Sequence, residues 1–240
     1  PRKAVMMAEV YKAACIAFGQ PVQSFDFAYR DKDNNYHEER DLTPQAFYQK
    51  YVGLSLRDYV AVINEPTADK PLDTPIQFHA VENMAGRDMK ALNLSQAALE
   101  DLCVKQLKHG QAIWFACDAG AFGARKEGIW DPASVQYEAL LGGFSTDMPK
   151  GKRLEYNSSS ATHAMLLTGV HFDKDGQPDR WKIENSWGKD VGDQGYFVCS
   201  EAYFKEFVYE AVIDRRHFSP EQLALLEKEP VVINAWDEDY

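Results

Sequence analysis

Apolar and polar positions change rhythm several times along the chain. Between Val5 and Phe18, the residues Met7, Val10, Tyr11, Ala14, Cys15 and Phe18 recur at helical spacing, and Gly19 and Pro21 end the run. From Phe25 the period shortens. Phe25 to Tyr29 and Tyr36 to Glu39 flank the polar cluster Asp31-Lys-Asp-Asn-Asn35, which predicts a hairpin. Thr43-Pro44 supplies a cap and a first-turn proline for a short helix through Tyr51. Residues 62–94, punctuated by Pro66, Pro71 and Pro75, read as irregular, with one extended piece at Ile76 to Val81.

Ser95 caps a predicted helix to His109 whose inner face carries Leu99, Leu102, Cys103 and Leu107, with Gly110 just past its end. Ala112 to Cys117 is an apolar run of strand length. Asp118 to Asn157 is Gly-rich and polar and reads as long loops with some local helix. From Ala164 the pattern turns to β: Ala164–His171, Trp181–Asn185, Gly195–Cys199 and Val208–Asp214, interrupted by a short helix near Ser200–Phe207. Ser219-Pro-Glu-Gln222 is a capping box opening a last short helix. The expectation is an α+β fold, with helices packed on a curled antiparallel sheet or barrel.

Composition narrows the function classes. Lys+Arg 26 against Asp+Glu 37 gives a net charge of −11, a mean field that repels nucleic acid. No apolar run reaches the roughly 18 residues of a membrane span, so no membrane partner is expected. The four cysteines, Cys15, Cys103, Cys117 and Cys199, form no C-x-x-C pair and have no zinc spacing. They read as reduced thiols of a cytoplasmic protein, and no metal or cofactor is expected. Arg215-Arg216-His217 reads as solvated surface, as do the carboxylate clusters Glu38-Glu39 and Asp237-Glu238-Asp239. Asp118 reads as a turn former, and His79 carries no assigned chemistry.

Two short strings carry chemistry. Thr162-His163-Ala164-Met165 opens an apolar strand, and Glu184-Asn-Ser-Trp-Gly188 ends one. A tight connection between those strands would bring His163 and Asn185 to one end of a sheet. There a neutral amide accepts the ring N–H and fixes the imidazole tautomer. Trp187 can lie over that bond and exclude water. This is the base-and-orienter part of a nucleophilic triad.

These strings resemble the histidine and asparagine motifs of papain-like cysteine peptidases. Tyr29-Arg-Asp-Lys-Asp-Asn-Asn-Tyr36, Trp114-Phe-Ala-Cys-Asp-Ala-Gly120, Gly195-Tyr196, Val208-Tyr-Glu210, Leu226-Glu-Lys-Glu-Pro230 and Ala235-Trp-Asp237 narrow the resemblance to the bleomycin hydrolase and aminopeptidase C family, over essentially the whole chain. The resemblance implies a papain-like fold, a thiol aminopeptidase acting on peptide substrates, and a cytosolic homohexamer. It makes His163 the catalytic base, Asn185 its orienter and Trp187 their shield. It also implies residues 1–70 as family insertions, 71–218 as the β domain bearing His and Asn, and 219–240 as a C-terminal helix and arm.

Two departures stand against the family pattern. None of the four cysteines has the expected setting at a helix N-terminus with an upstream Gln and a Gly-Ser-Cys-Trp-like surround. The expectation is that this chain is the C-terminal part of a longer enzyme, inactive alone, with the nucleophile in a missing N-terminal part. The alternative is a pseudo-peptidase acting as a binding or assembly module. The tail, Trp236-Asp-Glu-Asp-Tyr240, also departs from the family's arm, which continues with Pro-Met-Gly and carries the carboxylate that holds a substrate's ammonium group.

Overall fold

The computed structural model describes residues 2–79, 88–145 and 147–234. The chain divides into two compact units between Leu56 and Arg57.

In the first unit the helical run becomes α1 (Arg2–Phe18), and Gly19, at φ 85°, stops it by donating its N–H to Cys15 O. The predicted hairpin is present as β1 (Phe25–Arg30) and β2 (Tyr36–Leu42), antiparallel. Its turn is organised by Asp31, whose Oδ1 accepts from the N–H of Asp33 and Asn35. Thr43 caps α2 (Pro44–Phe47) through Ala46 N–H. The helix then widens into a π turn over Tyr48–Val52 and stops at Gly53. Phe25, Phe27, Phe47 and Tyr51 pack ring to ring here, and Glu39 is held by Lys50 and Tyr51, so this carboxylate is not merely solvated.

The second unit contains β3 (Tyr59–Ile63), β4 (Thr74–His79), β5 (Met89–Asn93), α3 (Gln96–Lys108), β6 (Ile113–Cys117), β7 (Gly123–Ala124), β8 (Ile129–Trp130), α4 (Tyr137–Leu140) and α5 (Lys150–Glu155). It continues with β9 (His163–Phe172), β10 (Pro178–Glu184), β11 (Tyr196–Ser200), α6 (Glu201–Phe207), β12 (Val208–Asp214), α7 (Pro220–Leu225) and β13 (Val231–Asn234). Its strands form one sheet in the order β13-β4-β5-β3-β12-β6-β9-β10-β11-β8-β7. The α+β architecture is as expected. The sheet is mixed rather than wholly antiparallel, because β13–β4, β3–β5 and β11–β8 pair strands distant in sequence and run parallel. Its order does not close into a barrel among the described residues.

The sheet gathers residues from each of the stretches 1–70, 71–218 and 219–240, since β3 and β13 both join it. Residues 62–94 are more regular than expected. β5 pairs with the nearby β4 and β3, β3 also pairs with the distant β12, and Asn93 ties the proline-rich connection down by donating to Glu65 O and Lys70 O. The extended piece at Ile76 is β4, with Ala80 and Val81 outside the described residues.

α3 turns Leu99, Leu102, Cys103 and Gln106 inward, and α6 adds Tyr203, Phe204 and Phe207. With Phe115, Leu167, Trp181, Ile183 and Phe197 from the strands, all of these but Gln106 make one core cluster. Trp181 stacks on Phe204 at 4.0 Å. This cluster fixes β6, β9, β10 and β11, the strands that position the site.

Candidate active site

β9 begins at His163, and β10 ends at Glu184, one residue before Asn185. The two strands are antiparallel, with Glu184 opposite Leu166, so the start of one and the end of the other share an edge. His163 Nε2 lies 2.9 Å from Asn185 Oδ1. The same oxygen accepts the N–H of Ser186 at 2.8 Å, which settles which end of the amide faces the ring. Nε2 therefore carries the proton, and Nδ1 is the nitrogen left for chemistry. Asn185 N–H donates to Gly195 O, anchoring the turn after β10. Asn185 Nδ2 is buried with no protein partner among the described residues.

Trp187 lies parallel to the imidazole, 5.0 Å away and tilted 17°. Its aromatic neighbours besides are Phe197, edge-on at 5.6 Å, and Trp130 at 6.0 Å. His163 and Trp187 are both part-buried. The sequence-predicted trio is thus brought together, and a polar, tautomer-fixed imidazole sits at the edge of a dry aromatic cluster. Such an arrangement can move a proton at Nδ1 while Nε2 stays held.

The chain ahead of His163 is held by hydrogen bonds, exposed at Thr162 and buried at Ser159. Thr162 N–H donates to Cys117 O, and Ala119 N–H donates to Thr162 Oγ1. Ser159 Oγ donates to Asp118 Oδ2 at 2.7 Å, and Tyr209 OH donates to Ser159 Oγ at 2.7 Å. Tyr203 OH donates to Asp118 O. Asp118 forms the expected turn, with Oδ1 accepting Gly120 N–H, and it also supports the approach to His163. Ser159 and Tyr209 carry no local sequence signal for this role, because their partners lie 41 and 50 residues away.

The four cysteines are all free. Cys103, Cys117 and Cys199 are buried, and burial pushes each thiol up, Cys117 to about 12. Cys15 lies on α1 in the first unit. Among the described residues no group of three or more His, Cys, Asp or Glu side chains is placed to hold a metal ion, and no helix is long and apolar enough to cross a membrane.

In the basic cluster Arg215 and Arg216 are exposed as expected, and His217 is not. His217 is buried, with Nε2 3.1 Å from Gln111 Oε1, and Arg216 makes a two-pronged ion pair with Asp214. His79, the last residue of β4, approaches Asp88. Asp237, Glu238 and Asp239, with the Ala235-Trp-Asp237 string, lie outside the described residues.

Comparison with known proteins gives a consistent result. The Peptidase C1-like family profile matches residues 1–238. Aminopeptidase C of Streptococcus thermophilus is 41% identical over 237 residues, covering 98% of this chain and 53% of that protein. Bleomycin hydrolase of Homo sapiens is 36% identical over 239 residues, covering 97% and 52%. The crystal structure of pepw from Lactobacillus rhamnosis superposes with a TM-score of 0.90 at 43% identity, over 98% of this chain and 53% of that one. The chain spans about half the length of the curated relatives it matches.

Proposed function

The chain belongs to the Peptidase C1-like family, and we propose on that premise that it supplies the base and its orienter to a thiol aminopeptidase of the aminopeptidase C and bleomycin hydrolase kind. The observation that carries the proposal is the His163–Asn185 hydrogen bond, with Trp187 stacked on the imidazole. In the reaction a cysteine thiolate attacks the carbonyl carbon of the substrate's first peptide bond. The His163 imidazolium gives its Nδ1 proton to the leaving amine as the C–N bond breaks. His163 then takes a proton from water, whose oxygen attacks the thioester and releases the acid and the thiolate. Asn185 holds the ring through both steps, and Trp187 keeps water from the bond that holds it.

The nucleophile of this proposal lies outside the present 240 residues. The high thiol pKa values of the buried cysteines support that reading, since none is thiolate near neutrality. The same observation favours the second reading, a non-catalytic binding or assembly module. Peptide substrates, a homohexameric assembly and a cytoplasmic setting belong to the first reading.

The test is turnover of amino-acid amides and short peptides by the complete protein under reducing conditions. The expected result is thiol-dependent release of N-terminal residues. His163→Ala loses the roughly 10²–10⁴-fold contribution of a general base. Asn185→Ala loses less, because the base remains and only its orientation relaxes. A complete protein without activity on any such substrate supports the binding module instead.

A further inference from the structure

Arg125 sits in the turn between β7 and β8, and its guanidinium carbon lies 4.3 Å from the centroid of the Trp187 ring. The indole that stacks on His163 therefore also carries a stacked cation. The contact is not a chance meeting of two loose loops. Gly192 N–H, in the loop that carries Trp187, donates to Lys126 O at 3.0 Å, and Val198 N–H donates to Gly128 O at 2.8 Å. β8 continues the seam as the parallel neighbour of β11. A Cβ on Gly128 would stand 2.6 Å from Gly192 Cα, so this close approach requires glycine. The backbone on the C-terminal side of Arg125 is thus fastened to the loop bearing Trp187.

Among the described residues no carboxylate pairs with Arg125. In a chain of net charge −11, this guanidinium is committed to an aromatic face rather than to an acid. A planar guanidinium stacks on an indole in a way an ammonium does not. We infer that Arg125 is a positioning residue, acting through Trp187 to keep the indole over the His163–Asn185 hydrogen bond. Its consequence for turnover rests on the reading of His163 as the base. The contact itself does not.

The test needs no turnover and uses the chain labelled with 15N-histidine. In Arg125→Gln the His163 Nε2 proton exchanges with water about threefold faster, the size of one exposed cation–π contact. Amides of Leu167 and Ile183, in β9 and β10, keep their protection. Arg125→Lys recovers part of the effect, and Trp187→Ala exceeds it, because the shield itself is gone. Unchanged exchange in Arg125→Gln overturns the inference. So does a loss of protection spread equally over β9 and β10, which would make Arg125 a general packing contact. Full turnover by His163→Ala in the complete protein would remove the base assignment and leave the exchange result standing, so the two failures are distinct.

Discussion

Cys117 and His163 are register partners across β6 and β9, and only the imidazole reaches solvent. The nearest reading would make them a nucleophile and its base. Burial argues otherwise, because it pushes the Cys117 thiol up to about 12, against a weaker opposing hydrogen bond from Tyr203. At pH 7 the thiolate fraction is then about 10⁻⁵. A thiol-directed epoxide should leave Cys103, Cys117 and Cys199 unmodified in the folded chain and label them after denaturation. Any adduct on the folded chain should fall on Cys15 and be unaffected by His163→Ala. Intact mass and peptide mapping read the result, and an adduct on Cys117 that depends on His163 would place the nucleophile in this chain.

Lys150 is buried, with Nζ donating to Gln96 Oε1 and Val208 O and lying 4.9 Å from the Tyr209 ring centroid. Burial pulls its pKa down to about 7, against the opposing pull of Glu206 and Glu65. The unfolded value is 10.5, so between the two the unfolded chain binds the extra proton. Stability from this group is complete above 10.5 and is lost as pH falls through about 7. It should therefore rise with pH across that window, by at most about 1.4 kcal/mol per pH unit. Urea midpoints at three pH values should show the rise in the native sequence and a flatter line in Lys150→Met. Equal slopes in the two would discard the argument.

Glu100 acts with the opposite sign. Burial first, and then the neighbouring Glu201, push its carboxyl up to about 7, while Lys205 opposes the shift. A folded pKa above the unfolded 4.5 contributes stability at low pH that is lost as pH rises through about 7. Glu100→Gln should be more stable than the native sequence at pH 7.5, with the advantage shrinking towards pH 4.5. Melting temperatures across that range decide it, and an advantage that does not vary with pH would point to packing rather than charge.

The site was legible because its residues sit in short strings at strand ends: His163 opens β9, and Asn185 and Trp187 follow β10 within three residues. A hairpin is a local object, so sequence spacing alone predicts that its ends meet. What escaped was decided at long range. β3 looked irregular because it carries no long alternating run and is held on one side by the distant β12, and β5 then adds to β3 and β4. His217 looked solvated because its cover, Gln111 and His109, lies more than a hundred residues earlier in the chain. Arg125 carried no signal, since nothing in its own turn announces that the β8–β11 seam sets it against Trp187.

Asp118, Ser159 and Tyr209 form one buried chain, with Tyr209 OH donating to Ser159 Oγ and Ser159 Oγ donating to Asp118 Oδ2. Asp118→Ala leaves the buried Ser159 hydroxyl without its charged acceptor, which should cost about 2–4 kcal/mol. Tyr209→Phe removes one donor and leaves Ser159 able to give its proton to Asp118, so it should cost about 1 kcal/mol. The double variant should cost less than the sum, because both changes break the same chain. Asp118→Asn keeps an acceptor oxygen for Ser159 and should fall between the native sequence and Asp118→Ala. Denaturant unfolding of the four variants tests the order. Strict additivity would mean that the three residues stabilise the approach to His163 separately, and that the segment ahead of β9 is held by the Thr162 N–H bond to Cys117 O and the Ala119 N–H bond to the Thr162 hydroxyl alone.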